Sequence, residues 1–339
     1  MGKIVFIYAL VVLLSVHGTS ENSLSDIFDV FGKTENLDLE DDELEFFDSL
    51  SRSTHRGRKI LVNVDSFGAA GDGVSDDTKA FENAWKQACS TAKSVLLVSL
   101  GRTYLVNATR FKGPCSGKLI MQIDGKIVAP NEPKNWDSKN PRNWLTFSNH
   151  WSHFPRTCSA IKVKGLTFKN SQQMHFVISR CESVRIFSVL VSAPEDSPNT
   201  DGIHLTGSTN VVIQNTKIGT GDDCVLIVNA SSNIKMKNIH CGPGSWNQVH
   251  FDIIGSLGKD NTTGIVTKVV LDKAFLKGTT NGLRIKTWQG GFGYVKGVRY
   301  QNVKMDDVAN PIIIDQFYCD SPKSFPVTID DSWVPGFLL

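Results

Sequence analysis

Six times between Ile161 and Val303 the chain repeats one short pattern: an apolar residue, any residue, another apolar residue, two of any kind, then a further apolar or small one. The copies begin at Ile161, Val184, Val211, Ile234, Val269 and Val298, with intervals of 23, 27, 23, 35 and 29 residues. Asn210 and Asn233 stand immediately before their copies, and Asn215, Asn238 and Asn302 each follow four residues after a start. A two-residue period rich in β-branched side chains marks strands, and the Gly, Asn, Ser and Asp between them mark turns. With no helical period in between, such units stack coil upon coil as a solenoid. The expected fold is therefore all-β, a right-handed parallel β-helix. Leucine ladders and periods near forty are absent, and hairpin signals are too few for a β-sandwich.

Ahead of the repeats, Ser75-Asp76-Asp77 precedes Ala80, Phe81, Ala84, Trp85 and Ala88, which share one helical face. A helix there would cap the open end of the first coil. The N-terminus reads differently. Lys3, an apolar run over 4–16 and the small residues Gly18, Thr19 and Ser20 have the layout of a secretion signal over residues 1–20. The run is too short to cross a bilayer, and the competing assignment is a buried helix or strand.

Residues 21–50 hold eleven Asp/Glu against the single Lys33, so 21–59 reads as an acidic pro-segment or disordered arm, or else a solvated helix. The near-neutral total of +2 hides this division: from Ile60 onward 30 Lys/Arg face 23 Asp/Glu. A body of net charge +7 suits a polyanionic partner. No basic run interleaved with aromatics accompanies it, which argues against nucleic acid. In an oxidising compartment the seven cysteines favour disulfides over a zinc site, and one must be left over. Asn107-Ala-Thr, Asn229-Ala-Ser and Asn261-Thr-Thr are glycosylation acceptors of the same compartment.

Stacked parallel strands lie about 4.8 Å apart, so residues at one phase of successive coils become neighbours. Polar groups gather at one such phase: Asn199-Thr-Asp201, Gly221-Asp222-Asp223, His250, and Arg284-Ile-Lys286. Three clustered carboxylates repel one another, which leaves a proton donor beside ionised partners, the pair of functions that glycoside hydrolysis needs. Arg284 and Lys286 alternate around Ile285 and would meet an acidic sugar from one face.

These motifs, together with Ser192-Ala-Pro-Glu-Asp-Ser-Pro-Asn-Thr-Asp-Gly-Ile-His204, Asn310-Pro-Ile-Ile-Ile-Asp315 and the entry Asn63 to Gly73, resemble the plant polygalacturonases of glycoside hydrolase family 28. The likeness covers roughly residues 60–147 and 158–323. It implies a hydrolase that cleaves α-1,4-galacturonosidic bonds of pectin with inversion and needs no metal or other cofactor. By that resemblance Asp222 is the general acid, and Asp201 and Asp223 hold and deprotonate the water. Arg284 and Lys286 clamp the galacturonate carboxylate, with Tyr318 and Asn199 at the substrate, and Cys224 is bridged to Cys241. A secreted, extracellular cell-wall monomer that acts on polygalacturonate and leaves no membrane anchor after signal removal is implied as well.

The pattern breaks in three places. The family's Gly-His-Gly is expected after Gly244; counting back from Ile254 puts His250 in the histidine's place, counting forward puts Ser245 there, and a displaced surface histidine is the alternative. Ser148 to Arg156 replaces a Gly-rich coil. After Ser324 the family pattern ends, so 60–324 is expected to be the catalytic β-helix and 325–339 an atypical tail, with the closing coils missing and Cys319 unpaired. The second function this allows is a catalytically impaired or non-catalytic pectin-binding variant. A calcium-dependent lyase on the same fold is a third.

Overall fold

The computed structural model describes residues 5–9, 59–130, 143–148, 158–194, 197, 199–242, 250–318 and 337–338. The acidic segment and most of the tail lie outside these residues. Each repeat forms a strand of one parallel sheet, and Val184, Val211, Ile234, Val269 and Val298 meet in register from coil to coil. Val184, Ile186, Val211, Ile213, Ile234, Met236, Val269 and Leu271 are all essentially inaccessible. The two-residue period thus buries one column of side chains inside the coil and sends the alternate column outward.

The repeat recurs because its ends are corners. The residue before each of the later copies and the one four positions after each start take a left-handed backbone: Asn210, Asn233, Asn215, Asn238 and Asn302 have φ between 52° and 57°. Asparagine tolerates that region better than other non-glycine residues. Its side chain then binds the next corner: Asn233 Nδ2 donates to Asn210 Oδ1 at 2.6 Å, and Asn238 Nδ2 to Asn215 Oδ1 at 2.9 Å. Where Asn is missing, Ser183, Ser188, Lys268 and Lys273 turn the same corners at φ 50–60°. The result is the expected right-handed parallel β-helix.

Three sheets run along it. A first comprises Phe176–Ser179, Ile203–Thr206, Val225–Ile227, His250–Leu257 and then 281–288 and 310–318 of two long strands. After the turn at Gly207 the chain enters the second sheet, built from the repeats. Past the next corner it forms a third, through Leu190–Ser192, 217–219, 239–241, 274–276 and 303–305.

Helix α1, Thr78–Ser90, closes the first coil with Ala80, Phe81, Ala84, Trp85, Ala88 and Cys89 buried. Trp85 packs on Phe111 at 5.0 Å and donates Nε1–H to Lys112 O, while a Cys89–Cys115 disulfide ties the helix end to the coil below. At its N-terminus the two acids of Ser75-Asp76-Asp77 take different partners. Asp76 Oδ1 accepts Thr78 N–H, whereas the Asp77 carboxylate turns back to accept the amides of Ala70 and Gly71. Asp77 therefore pins the entry loop rather than the helix.

Val5–Ala9, inside the segment read as a secretion signal, pairs with Lys118–Ile123 on one side and Cys158–Lys164 on the other. Those two strands are not neighbours otherwise. The stretch from 149 to 157 is too short for a coil of 23 residues, and Val5–Ala9 fills the one-strand gap. At the far end Ile312, Ile314 and Phe317 are 70%, 60% and 65% exposed, and the same long strand pairs with Phe337–Leu338 at Gly293 and Tyr294.

Candidate active site

The first sheet carries the site at the turns leading into its strands. Gly202 and Ile203 donate their amides to the carbonyls of Asp223 and Cys224, at 2.8 and 2.9 Å, which stacks the Asp201 turn directly on the Asp222-Asp223 turn. Contact is close enough that only glycine fits at position 202: a Cβ there would stand 2.5 Å from Ile218 Cγ2 and 2.6 Å from Cys224 O. Thr200 Oγ1 accepts the amide of Gly221, a second cross-coil tie. Beneath the turn Cys224 and Cys241 form a buried disulfide.

This stacking brings one oxygen each of Asp201, Asp222 and Asp223 within 4.8 Å of one another. Asp201 and Asp223 are buried, 5% and 3% exposed, whereas Asp222 is more open. Two strands further along, Lys286 Nζ reaches Asp223 Oδ2 at 3.3 Å, and Arg284 Nη2 reaches Asp315 Oδ2 at 3.2 Å. Both cations lie 5.3 Å from the Tyr318 ring centroid, and Tyr318 meets Trp288 edge to face. The two basic side chains therefore share a face with the acids, backed by an aromatic wall. Asn199 stands exposed at the rim, in a left-handed turn. The His250 backbone pairs with Asn281 in the neighbouring coil; its side chain falls outside the described residues.

Three residues had no role assigned from the sequence. His204 Nδ1 stands 3.3 Å from Asp201 Oδ2, and Asp315 faces Arg284. The third is His175, whose Nδ1 is 3.1 Å from the carbonyl of Asp201 while Nε2 accepts the amide of Ser171. Nδ1 then carries the proton. His204 and Asp315 lie inside the motifs that carry the family resemblance, but His175 lies 26 residues from its partner, in a stretch with no motif to mark it.

Burial holds the His175 imidazole below its ordinary pKa of 6.5, partly offset by the Asp201 carbonyl. A depressed histidine pKa means the unfolded chain takes the proton first as pH falls. Its contribution is present above about pH 6.5 and is lost as pH drops through the lowered folded value. A protonated ring also could not accept from Ser171. We expect thermal unfolding scans between pH 7.5 and pH 5 to show a falling melting temperature, and His175→Gln to flatten that slope; an identical slope would exclude this role.

A family model for glycosyl hydrolases family 28 matches residues 154–329, which span all of these groups. The chain belongs to glycosyl hydrolases family 28. A probable polygalacturonase of Arabidopsis thaliana is 42% identical over 309 residues, covering 80% of this chain and 68% of that protein. A polygalacturonase of Persea americana is 42% identical over 300 residues, 78% of this chain and 63% of its own length. The chain thus spans about two thirds of these family 28 relatives. Among solved structures, the endo-xylogalacturonan hydrolase of Aspergillus tubingensis superposes with a TM-score of 0.64 at 20% identity, over 77% of this chain and 78% of that one. The polygalacturonase of Erwinia carotovora does so at 0.50 and 21%, over 77% and 81%. At such identity these two speak for the β-helix alone.

Proposed function

We propose that this family 28 chain is a secreted plant cell-wall polygalacturonase that hydrolyses α-1,4-galacturonosidic bonds of polygalacturonan with inversion. The observation that carries the reading is the convergence of three carboxylates with Arg284 and Lys286 over Tyr318. Asp222, the most open acid, donates its proton to the leaving glycosidic oxygen. Asp201 and Asp223 hold the water and take its proton as the new C–O bond forms. His204 and Lys286 each anchor one oxygen of those two acids. Arg284, held by Asp315, and Lys286 meet the galacturonate carboxylate.

The acids stand closer than the roughly 6.5–9.5 Å usual for inverting pairs, so inversion rests on the family resemblance. Against a calcium-dependent lyase stands the Lys286 ammonium, already set against Asp223 in the acid cluster. Secretion would remove residues 1–20 and with them the strand Val5–Ala9, leaving an open slot in the second sheet. Among the described residues no helix is long and apolar enough to cross a membrane. Of the proposed glycan acceptors, Asn229 is exposed, while Asn107 Nδ2, the atom a glycan would join, donates to Asp76 Oδ2 at 2.8 Å.

Purified, monodisperse protein is expected to release reducing ends from polygalacturonate in the presence of a chelator, and NMR of the first product should show the β-anomer. No release from folded protein would leave the pectin-binding variant; chelator-sensitive formation of unsaturated products would establish the lyase.

A further inference from the structure

The positive excess of the body does not sit in the cleft. Besides His175, His204 and Tyr318, the described acids and bases there are Asp201, Asp222, Asp223 and Asp315 against Arg284, Lys286 and Lys259, the last stacked 4.8 Å from the Trp288 centroid. The second sheet, across the turn at Gly207, is different. Its strands carry Lys162, Arg185, Val212, Lys235, Val270 and Arg299 in one register column, each the register partner of the one before it. Their neighbours in sequence are the inaccessible Val163, Val184, Ile186, Ile234, Met236 and Val269, so strand alternation sends this column outward. Arg185, Lys235 and Arg299 are exposed, and Lys162 lies over the Phe187 ring at 5.1 Å.

A parallel column two positions on adds Lys164 and Lys237, with Asp272 as its one acid, and that acid accepts a hydrogen bond from Asn302. Six cations and one anion therefore line a strip that follows the helix axis. At about 4.8 Å per coil it is about 24 Å long. Ordinary surfaces intersperse both signs. A strip with so large an excess of one sign along one axis complements a linear polymer that carries the opposite charge on every unit.

We propose that this strip is a second polygalacturonate-binding surface, separate from the cleft, which holds the protein on the polymer while the cleft works. The inference rests on the proposed substrate. The test uses the full chain carrying Asp222→Asn, so that the polymer survives, with excess trigalacturonate to fill the cleft. Retention on immobilised polygalacturonate is measured against salt. Adding Arg185→Gln, Lys235→Gln and Arg299→Gln should weaken retention at least tenfold near 0.1 M salt and flatten its salt dependence. In the chain with Asp222 intact, the three changes should leave trigalacturonate turnover unaltered.

A single Lys235→Glu reversal, with an unchanged circular dichroism spectrum, should weaken retention in the same direction. Unaltered retention in both variants would overturn the proposal, as would equal retention on an uncharged galactan or tighter strip-dependent binding to RNA of matched length. Failure of the cleft reading would show separately, as no reducing ends from the parent protein.

Discussion

Asp222→Asn is expected to lower kcat on polygalacturonate by roughly a thousandfold, since a positioned general acid contributes about 10²–10⁴. The amide has nearly the same shape and can still accept the Asp223 amide that now reaches Asp222 Oδ1 at 2.9 Å. Binding should therefore persist, with KM within about threefold and the melting temperature unchanged. The loss belongs to proton delivery alone, which can be checked with an activated substrate. An aryl galacturonide whose leaving group needs no proton should be hydrolysed by the variant far more readily, relative to the parent, than the natural polymer. A kcat within tenfold of the parent on both substrates would remove Asp222 from the acid's role.

Lys286→Met should cost more in stability than any change of a charge on the rim. The Lys286 and Asp223 side chains are 11% and 4% exposed, so deleting the ammonium strands a carboxylate among two others in a site nearly closed to water. Breaking a buried pair in this way costs about 3–5 kcal/mol. For a β-helix of this size the melting temperature should fall by on the order of 10 °C. The double variant Lys286→Met with Asp223→Asn removes the stranded charge and should recover most of that loss while remaining inactive. A single variant as stable as its parent would mean that the pair is solvated and only binds substrate. Lys286→Arg should not restore activity, because a planar fork cannot occupy the place of a compact ammonium.

Much of this is legible in the sequence. The 23-residue spacing of Asn210 and Asn233, and of Asn215 and Asn238, is a corner signal: a side chain suited to a left-handed backbone, repeated once per coil. The apolar face of 80–88 announced a covering helix, and the clustering of Asp201, Asp222 and Asp223 followed from their common phase. The Val5–Ala9 strand was not legible, because its apolar run is equally the hydrophobic stretch of a secretion signal, and only the vacancy between two distant strands gives it a partner. The role of Asp77 was hidden for a related reason. Either of two adjacent acids can cap a helix, and the entry loop's unsatisfied amides decide which one is drawn away.

The sequence by itself determined the stacking of the coils and the common phase of Asp201, Asp222, Asp223, Arg284 and Lys286, because one short period dictates both what is buried and what recurs at the same phase. Tertiary structure alone decided the partners: Lys286 with Asp223 rather than Asp315, Arg284 with Asp315, His175 under Asp201, and the excess of cations on the second sheet instead of the cleft. Those choices are made between residues brought together only when coils stack. A difference of an ångström in an ion pair, or the alternation of a strand across a turn, settles them, and neither is written in composition or spacing.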